Sequence, residues 1–164
     1  MRELARRHGT ALLIETGTFE GEMSRKCRKA FREIHTIELD AGLAERAARR
    51  LGRWPWIHVH TGDSATVLRP LLERIDEPVL FWLDGHYSGE GTAHGVKETP
   101  LGDELEAIAA RRRAGDVVLV DDARLLGTGS YPTVEAVHAR LAAAHSGYRL
   151  TLDDDILRWE PAGA

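Results

Sequence analysis

Short apolar runs and helical stripes alternate along this chain from one end to the other, and that alternation leaves few folds open. Ala11-Leu12-Leu13-Ile14 reads as a short buried strand. Met23, Cys27, Ala30, Phe31 and Ile34 then recur at helical spacing. Residues 34–39 read as a second strand, followed by a helix with Leu43, Ala44, Ala47 and Leu51 inside. Residues 56–60 form a third strand, and Val67, Leu68, Leu71, Leu72 and Ile75 stripe the next helix. Strand 79–83 precedes a long polar loop. Thr99-Pro100 then opens a helix, threonine as N-cap and proline in the first turn, with Leu101, Leu105 and Ile108 inward. Gly115 ends that helix, strand 117–120 follows, and a helix over 133–145 is closed by Gly147. Residues 148–152 and 156–159 pair around the Asp153-Asp154-Asp155 turn. Five strands separated by helices predict an α/β fold with a doubly wound, mostly parallel sheet and right-handed crossovers. The last two strands add an antiparallel C-terminal edge. We expect one domain over residues 1–160, with Pro161-Ala162-Gly163-Ala164 (161–164) as a flexible tail.

The chain's balance of charge narrows its partners. A formal net charge of -4 lacks the basic footprint that nucleic-acid binding leaves. Arg49-Arg50 and Arg111-Arg112-Arg113 read as solvated helix ends, where cations suit the dipole. No apolar stretch approaches the roughly 18 residues of a membrane span, and residues 1–8 lack the apolar region of a signal peptide. The expectation is a cytoplasmic protein with neither a nucleic-acid nor a membrane partner. Cys27 is the only cysteine, which rules out an intrachain disulfide and a cysteine-based zinc site. It reads as a small core residue.

Three carboxylates follow apolar strands: Asp84 after 79–83, and Asp121-Asp122 after 117–120. Ligands of open α/β sheets sit outside the carboxyl ends of the strands. Carboxylates gathered there repel one another unless a cation or protons neutralise them. The first strand ends in Glu15-Thr16-Gly17-Thr18-Phe19-Glu20-Gly21, directly before a helix. Glycines there permit a tight turn and close backbone approach by a ligand. Glu38 closes the second strand about 20 residues beyond Gly17, where an acid can bind ribose hydroxyls. Phe19 stands where a dinucleotide fingerprint wants glycine, and Glu15 would repel a pyrophosphate. A cofactor with a ribose and a positive sulfonium, but no phosphate, suits these residues: S-adenosylmethionine.

Together, Glu15-x-Gly17-x-x-x-Gly21, Glu38, Gly62-Asp63-Ser64, Asp84 and Asp121-Asp122 resemble the ordered motifs of class I S-adenosylmethionine-dependent methyltransferases. More narrowly they resemble the divalent-metal-dependent O-methyltransferases. The resemblance runs from Leu12 to the last strand and implies a Rossmann-like methyltransferase fold. It implies that Glu15 and Gly17 lie by the methionine moiety of the cofactor, with Thr18, Phe19 and Gly21 of the same turn also at the cofactor. Glu38 would bind the ribose, and Asp63 and Ser64 would approach the adenine; as residues, Asp63-Ser64 also read as a helix N-cap. Asp84, Asp121 and Asp122 would hold a metal, magnesium or manganese by their oxygen-only chemistry. Such a metal lowers the pKa of a substrate hydroxyl and orients it. The catechol branch has asparagine where this chain has Asp122, and lysine where it has Tyr87. Asp122 and Asp84-Gly85-His86-Tyr87-Ser88 look more like the branch that methylates sugar hydroxyls in natural-product biosynthesis.

His86 is the candidate general base, with an unperturbed pKa near 6.5; a metal ligand or a surface histidine are its other readings. Loop 85–98, with His94 and Lys97, reads as a lid or substrate loop. His58 and His60 should project from one sheet face as packing residues. Trp54, Trp56, Trp82 and Trp159 read as core or interface. The expected function is a metal-assisted O-methyltransferase acting on a hydroxylated small molecule, with a homodimer able to complete the acceptor wall. A non-catalytic cofactor-binding partner of a biosynthetic enzyme is the first alternative, and a metal-dependent hydrolase the second.

Overall fold

The computed structural model describes residues 1–85 and 99–163. Seven strands form one sheet in the order β3-β2-β1-β4-β5-β7-β6. β1 (Leu12–Thr16), β2 (Glu33–Glu38), β3 (Ile57–Thr61), β4 (Val79–Leu83) and β5 (Val117–Val120) run parallel. β6 (Tyr148–Asp153) and β7 (Ile156–Pro161) form an antiparallel hairpin beside β5. The expected doubly wound sheet with an antiparallel edge is therefore the observed one. β1, β4 and β5 are buried along their whole lengths, as continuous apolar runs covered on both faces must be.

Two cores result. Leu12, Ile14, Phe81 and Val118 face Leu68, Leu72, Leu105, Ile108 and Leu141, which belong to α4 (Ser64–Leu72), α5 (Leu101–Arg111) and α6 (Val134–Ala142). On the other face, Leu13, Ile34, Leu80 and Leu119 meet Leu4, Cys27, Ala47 and Leu51. These come from α1 (Arg2–His8), α2 (Glu22–Cys27) and α3 (Ala41–Leu51). Side-chain caps fix three helix starts: Asp40 accepts from Leu43 N at 2.7 Å, Asp63 from Ala65 N at 2.9 Å and Thr133 from Ala136 N at 3.2 Å.

The structure departs from the sequence reading at several places. α1 was not expected. α5 starts one residue later, with Pro100 as N-cap and Thr99 Oγ1 accepting from Leu101 N at 3.3 Å. It ends at Arg111 rather than at Gly115, because Arg112 takes the left-handed conformation. Arg111 is no solvated helix end: it donates to the Glu77 carbonyl at 2.7 Å and faces the buried Asp116 at 3.4 Å. Asp154 and Asp155 both have positive φ, as a two-residue hairpin turn of type I′ demands. The hairpin continues through Pro161, paired with Tyr148, and Ala162 N donates to the Gly147 carbonyl at 2.9 Å. Among the described residues no helix is long and apolar enough to cross a membrane. His58 and His60 do share a face, with His35 between them: His35 Nδ1 lies 2.9 Å from His60 Nε2, and the His35 and His58 rings stack.

Candidate cofactor and acceptor site

The strand order reverses direction at β1, which has β2 on one side and β4 on the other. Loops leaving β1 and β4 diverge at such a switch point and open a crevice at the carboxyl ends of the strands. Hydrogen bonds beyond the strand ends hold this rim level. Gly17 N donates to Ile37 O at 3.0 Å, Asp84 N to Thr16 O at 3.1 Å, Asp121 N to Leu83 O at 3.0 Å and Gly62 N to Glu38 O at 2.8 Å. Every carboxyl-end residue singled out from the sequence and described in the structure therefore stands along one rim.

Two glycines shape the β1 turn. Gly17 has φ +82°, and a Cβ there would lie 2.3 Å from the Asp84 carbonyl oxygen. Gly21 opens α2 with φ +73°, where a Cβ would meet Leu51 Cδ1 at 2.8 Å. Between them, Thr18 Oγ1 lies 2.6 Å from Thr36 Oγ1. Phe19 is left-handed, φ +47°, and 55% exposed. The backbone thus adopts a glycine-like conformation at the position where the fingerprint would have glycine. What holds Phe19 there is a hydrogen bond: its N–H donates to Glu38 Oε2 at 2.7 Å.

Glu38 is buried, and its second oxygen accepts from Asp40 N at 2.9 Å. Each carboxylate oxygen has a further acceptor position, so the group can take two more donors, as a ribose diol would supply. Glu15 is buried beneath the turn, where Ser24 Oγ donates to its Oε2 at 2.5 Å. Burial, with repulsion from Asp84 and Glu38, pushes its carboxyl up to about 7 despite that hydrogen bond. Asp63 caps α4 through Oδ1. Ser64 turns inward and donates to Glu104 Oε1 at 2.5 Å.

The three aspartates are placed differently from one another. Asp84 and Asp121 follow paired strands whose last residues, Leu83 and Val120, are in register. Asp122 is left-handed, φ +51°, and its Oδ1 lies 2.6 Å from Arg124 Nη1. Arg124 also bonds Asp155. Among the described residues no group of three or more His, Cys, Asp or Glu side chains could hold a metal ion. The Arg124 guanidinium pairs with Asp122. His86, Tyr87, Ser88, His94 and Lys97, and with them the expected lid, lie outside the described residues.

Sequence reasoning missed two features. A cavity of about 210 Å³ opens between α1 and the sheet, lined by Leu4, Arg7, Trp82, Leu119, Ile156 and Arg158, among others. Trp82 and Leu119 stand two residues before Asp84 and Asp121 on their strands. The Trp82 indole N–H is buried without a hydrogen-bond partner. The second feature is Glu104, 1% exposed, on the inner face of α5. Its signal was a carboxylate inside the stripe Leu101, Leu105, Ile108.

Burial pushes the Glu104 carboxyl up to about 7, against the hydrogen bond from Ser64, with Asp63 and Asp103 adding repulsion. The folded chain holds this proton more tightly than the unfolded chain, whose value is 4.5. The stability it contributes is therefore full below about 4.5 and is lost as pH rises toward 7. Relative to the parent chain, Glu104→Gln should gain on the order of 3 kcal/mol between about pH 5 and pH 8. Urea denaturation at both pH values measures this; a pH-independent difference would contradict it.

No protein-family model matches the chain, and no curated protein matches it in sequence. Solved structures do match its fold. An O-methyltransferase from Bacillus cereus in complex with S-adenosylhomocysteine superposes with a TM-score of 0.61 at 17% identity, over 96% of this chain and 76% of that one. The N-methyltransferase NodS from Bradyrhizobium japonicum gives 0.60 at 14%, over 97% and 92%. S-adenosylmethionine-bound CalS10, an amino pentose methyltransferase from Micromonospora echinaspora involved in calicheamicin biosynthesis, gives 0.61 at 14%, over 97% and 87%. At these identities the likeness is one of fold, and the chain has the class I methyltransferase fold.

Proposed function

We propose that this chain, built on that fold, binds S-adenosylmethionine at the β1–β4 crevice and transfers its methyl group to a hydroxylated small molecule. The carrying observation is Glu38: a buried carboxylate on the rim, tied to the β1 turn through Phe19 N, with acceptor capacity left for a ribose. The solved structures support the same reading, since the chains of like fold include one bound to S-adenosylmethionine and one bound to its demethylated product. In the transfer, an acceptor oxygen attacks the methyl carbon as the carbon–sulfur bond breaks, and the sulfur leaves as a neutral thioether. The protein must align the two molecules and accept the hydroxyl proton. The cavity beside Trp82 and Leu119 is the proposed acceptor pocket. His86, outside the described residues, remains the proposed base, and His86→Ala with an unchanged rate would remove it. Calorimetric titration with S-adenosylhomocysteine, followed by methyl transfer to candidate sugars, phenols and amines, tests the reading. Absence of binding would overturn it.

A divalent metal at Asp84, Asp121 and Asp122, and a natural-product sugar as acceptor, are the finer form of this proposal. The described side chains do not fit a metal, because Arg124 engages Asp122. If magnesium nonetheless assists, Asp121→Asn should lower the magnesium-stimulated rate about tenfold or more, with cofactor affinity nearly intact. Equal loss of both would join the two sites into one. The Asp122–Arg124 pair also favours a second reading, a cofactor-binding partner without catalysis. That reading predicts S-adenosylhomocysteine binding indifferent to magnesium and no methyl transfer.

A further inference from the structure

We infer that Glu104 is a positioning residue for the cofactor, and that cofactor binding and its protonation are coupled. The inference rests on the cofactor reading above. Glu104 reaches three of the segments that line the crevice. At the start of α4, Ser64 Oγ donates to its Oε1 at 2.5 Å. A Cβ built on Gly85, after β4, would lie 3.3 Å from the same oxygen and 3.2 Å from Thr16 Oγ1, at the end of β1. Thr16 Oγ1 is buried beside this carboxyl and, like Ser64, steadies its anion. One carboxyl group thus packs under the exits of β1 and β4 and the start of α4.

The surroundings favour its neutral form. Asp63 faces it from the loop before α4, and Asp103 from α5 itself; both are carboxylates. Ser64 and Thr16 are neutral, and Arg140 of the neighbouring α6 is directed to the Gly102 carbonyl at 2.7 Å. An anion in this enclosure must be hydrated or leave the charge unmet. Hydration requires the loops at 16–17, 63–64 and 84–85 to part, because they enclose it. Those same loops must close around the cofactor. Cofactor and proton therefore favour one closed state, and by linkage each strengthens binding of the other.

The experiment is calorimetric titration of the whole chain with S-adenosylhomocysteine in phosphate and in Tris, buffers that differ in ionisation enthalpy. Between about pH 6.5 and about pH 8.5 the parent chain should take up part of a proton per ligand bound, and its affinity should fall roughly tenfold. Glu104→Gln should abolish the uptake and flatten the profile, while binding at the acid end stays within a few-fold. Were Glu15, the other buried acid under the rim, the source instead, uptake would persist unchanged in Glu104→Gln, and that result overturns the inference. So does S-adenosylhomocysteine binding by the parent chain without any uptake. Ser64→Ala removes one hydroxyl that steadies the anion and should move the uptake to higher pH. An unmoved midpoint there overturns the inference even if Glu104→Gln fails to fold. Failure of the parent chain to bind S-adenosylhomocysteine at any pH instead overturns the cofactor reading itself.

Discussion

Gly17→Ala should destabilise the chain by about 3 kcal/mol or more and abolish S-adenosylhomocysteine binding. Two separate costs add at this position. A left-handed backbone costs a residue with a Cβ about 1–2 kcal/mol, and Gly17 has φ +82°. The added Cβ would also lie 2.3 Å from the Asp84 carbonyl oxygen and 2.8 Å from its carbonyl carbon. Backbone cannot swing aside as a side chain can, so the exits of β1 and β4 must separate. Overpacking of this kind costs about 1–3 kcal/mol, and here the separation deforms the crevice itself. Gly9→Ala isolates the first cost, because Gly9 has φ +66° with nothing within 4 Å of a built Cβ. It should lose only the dihedral cost and leave cofactor binding unchanged. Urea midpoints and ligand titration of both variants measure the difference; equal destabilisation would refute the close-approach argument.

Glu38→Ala should weaken S-adenosylhomocysteine binding at least about 100-fold. Hydrogen bonds to a charged group contribute about 1.5–3 kcal/mol each, and the proposed ribose diol makes two. The variant also strips acceptors from Phe19 N and Asp40 N. Phe19 then loses the bond that holds it left-handed, and the chain entering α3 loses an anchor just before its Asp40 cap. A stability loss of about 1–3 kcal/mol should accompany the affinity loss. Glu38→Gln keeps one acceptor oxygen, so it should fall between parent and alanine in both measurements. An affinity unchanged in Glu38→Ala would remove the ribose from this position.

The centre of the sheet was legible because Leu12–Ile14, Val79–Leu83 and Val117–Val120 are unbroken apolar runs followed by acids or a polar turn, as strands covered on both faces must be. α1 escaped because a helix of about two turns, with Leu4 and Ala5 among Arg2, Glu3, Arg6 and Arg7, carries too few apolar repeats to register. The rim was legible in part. Spacing placed Gly17, Glu38, Asp84 and Asp121 at strand ends, and the sheet brings strand ends together whatever lies between them. Side-chain direction was not legible. Ser64 reads as a neighbour of Asp63 but points to Glu104, forty positions on, a partner that only the packing of α4 against α5 supplies. Asp122 reads as a third ligand, yet Arg124, two residues later and aligned by a left-handed turn, takes its charge. Trp159 and Tyr148 stack at 3.9 Å across the hairpin, a contact fixed by register rather than by composition.

The position of β1 has a consequence for how the chain is made. Its partner on one side, β2, follows closely in the sequence, but its partner on the other, β4, emerges only after α3, β3 and α4. Until then one edge of Leu12–Thr16, five residues buried in the finished sheet, has unpaired backbone groups and nothing to cover it. Pairing so remote in sequence is slow, because the intervening loop must close first. On the ribosome, the growing chain therefore carries a sticky strand edge from the emergence of β1 until that of β4. The strand that later floors the crevice is also the segment most in need of shielding while the protein is being born.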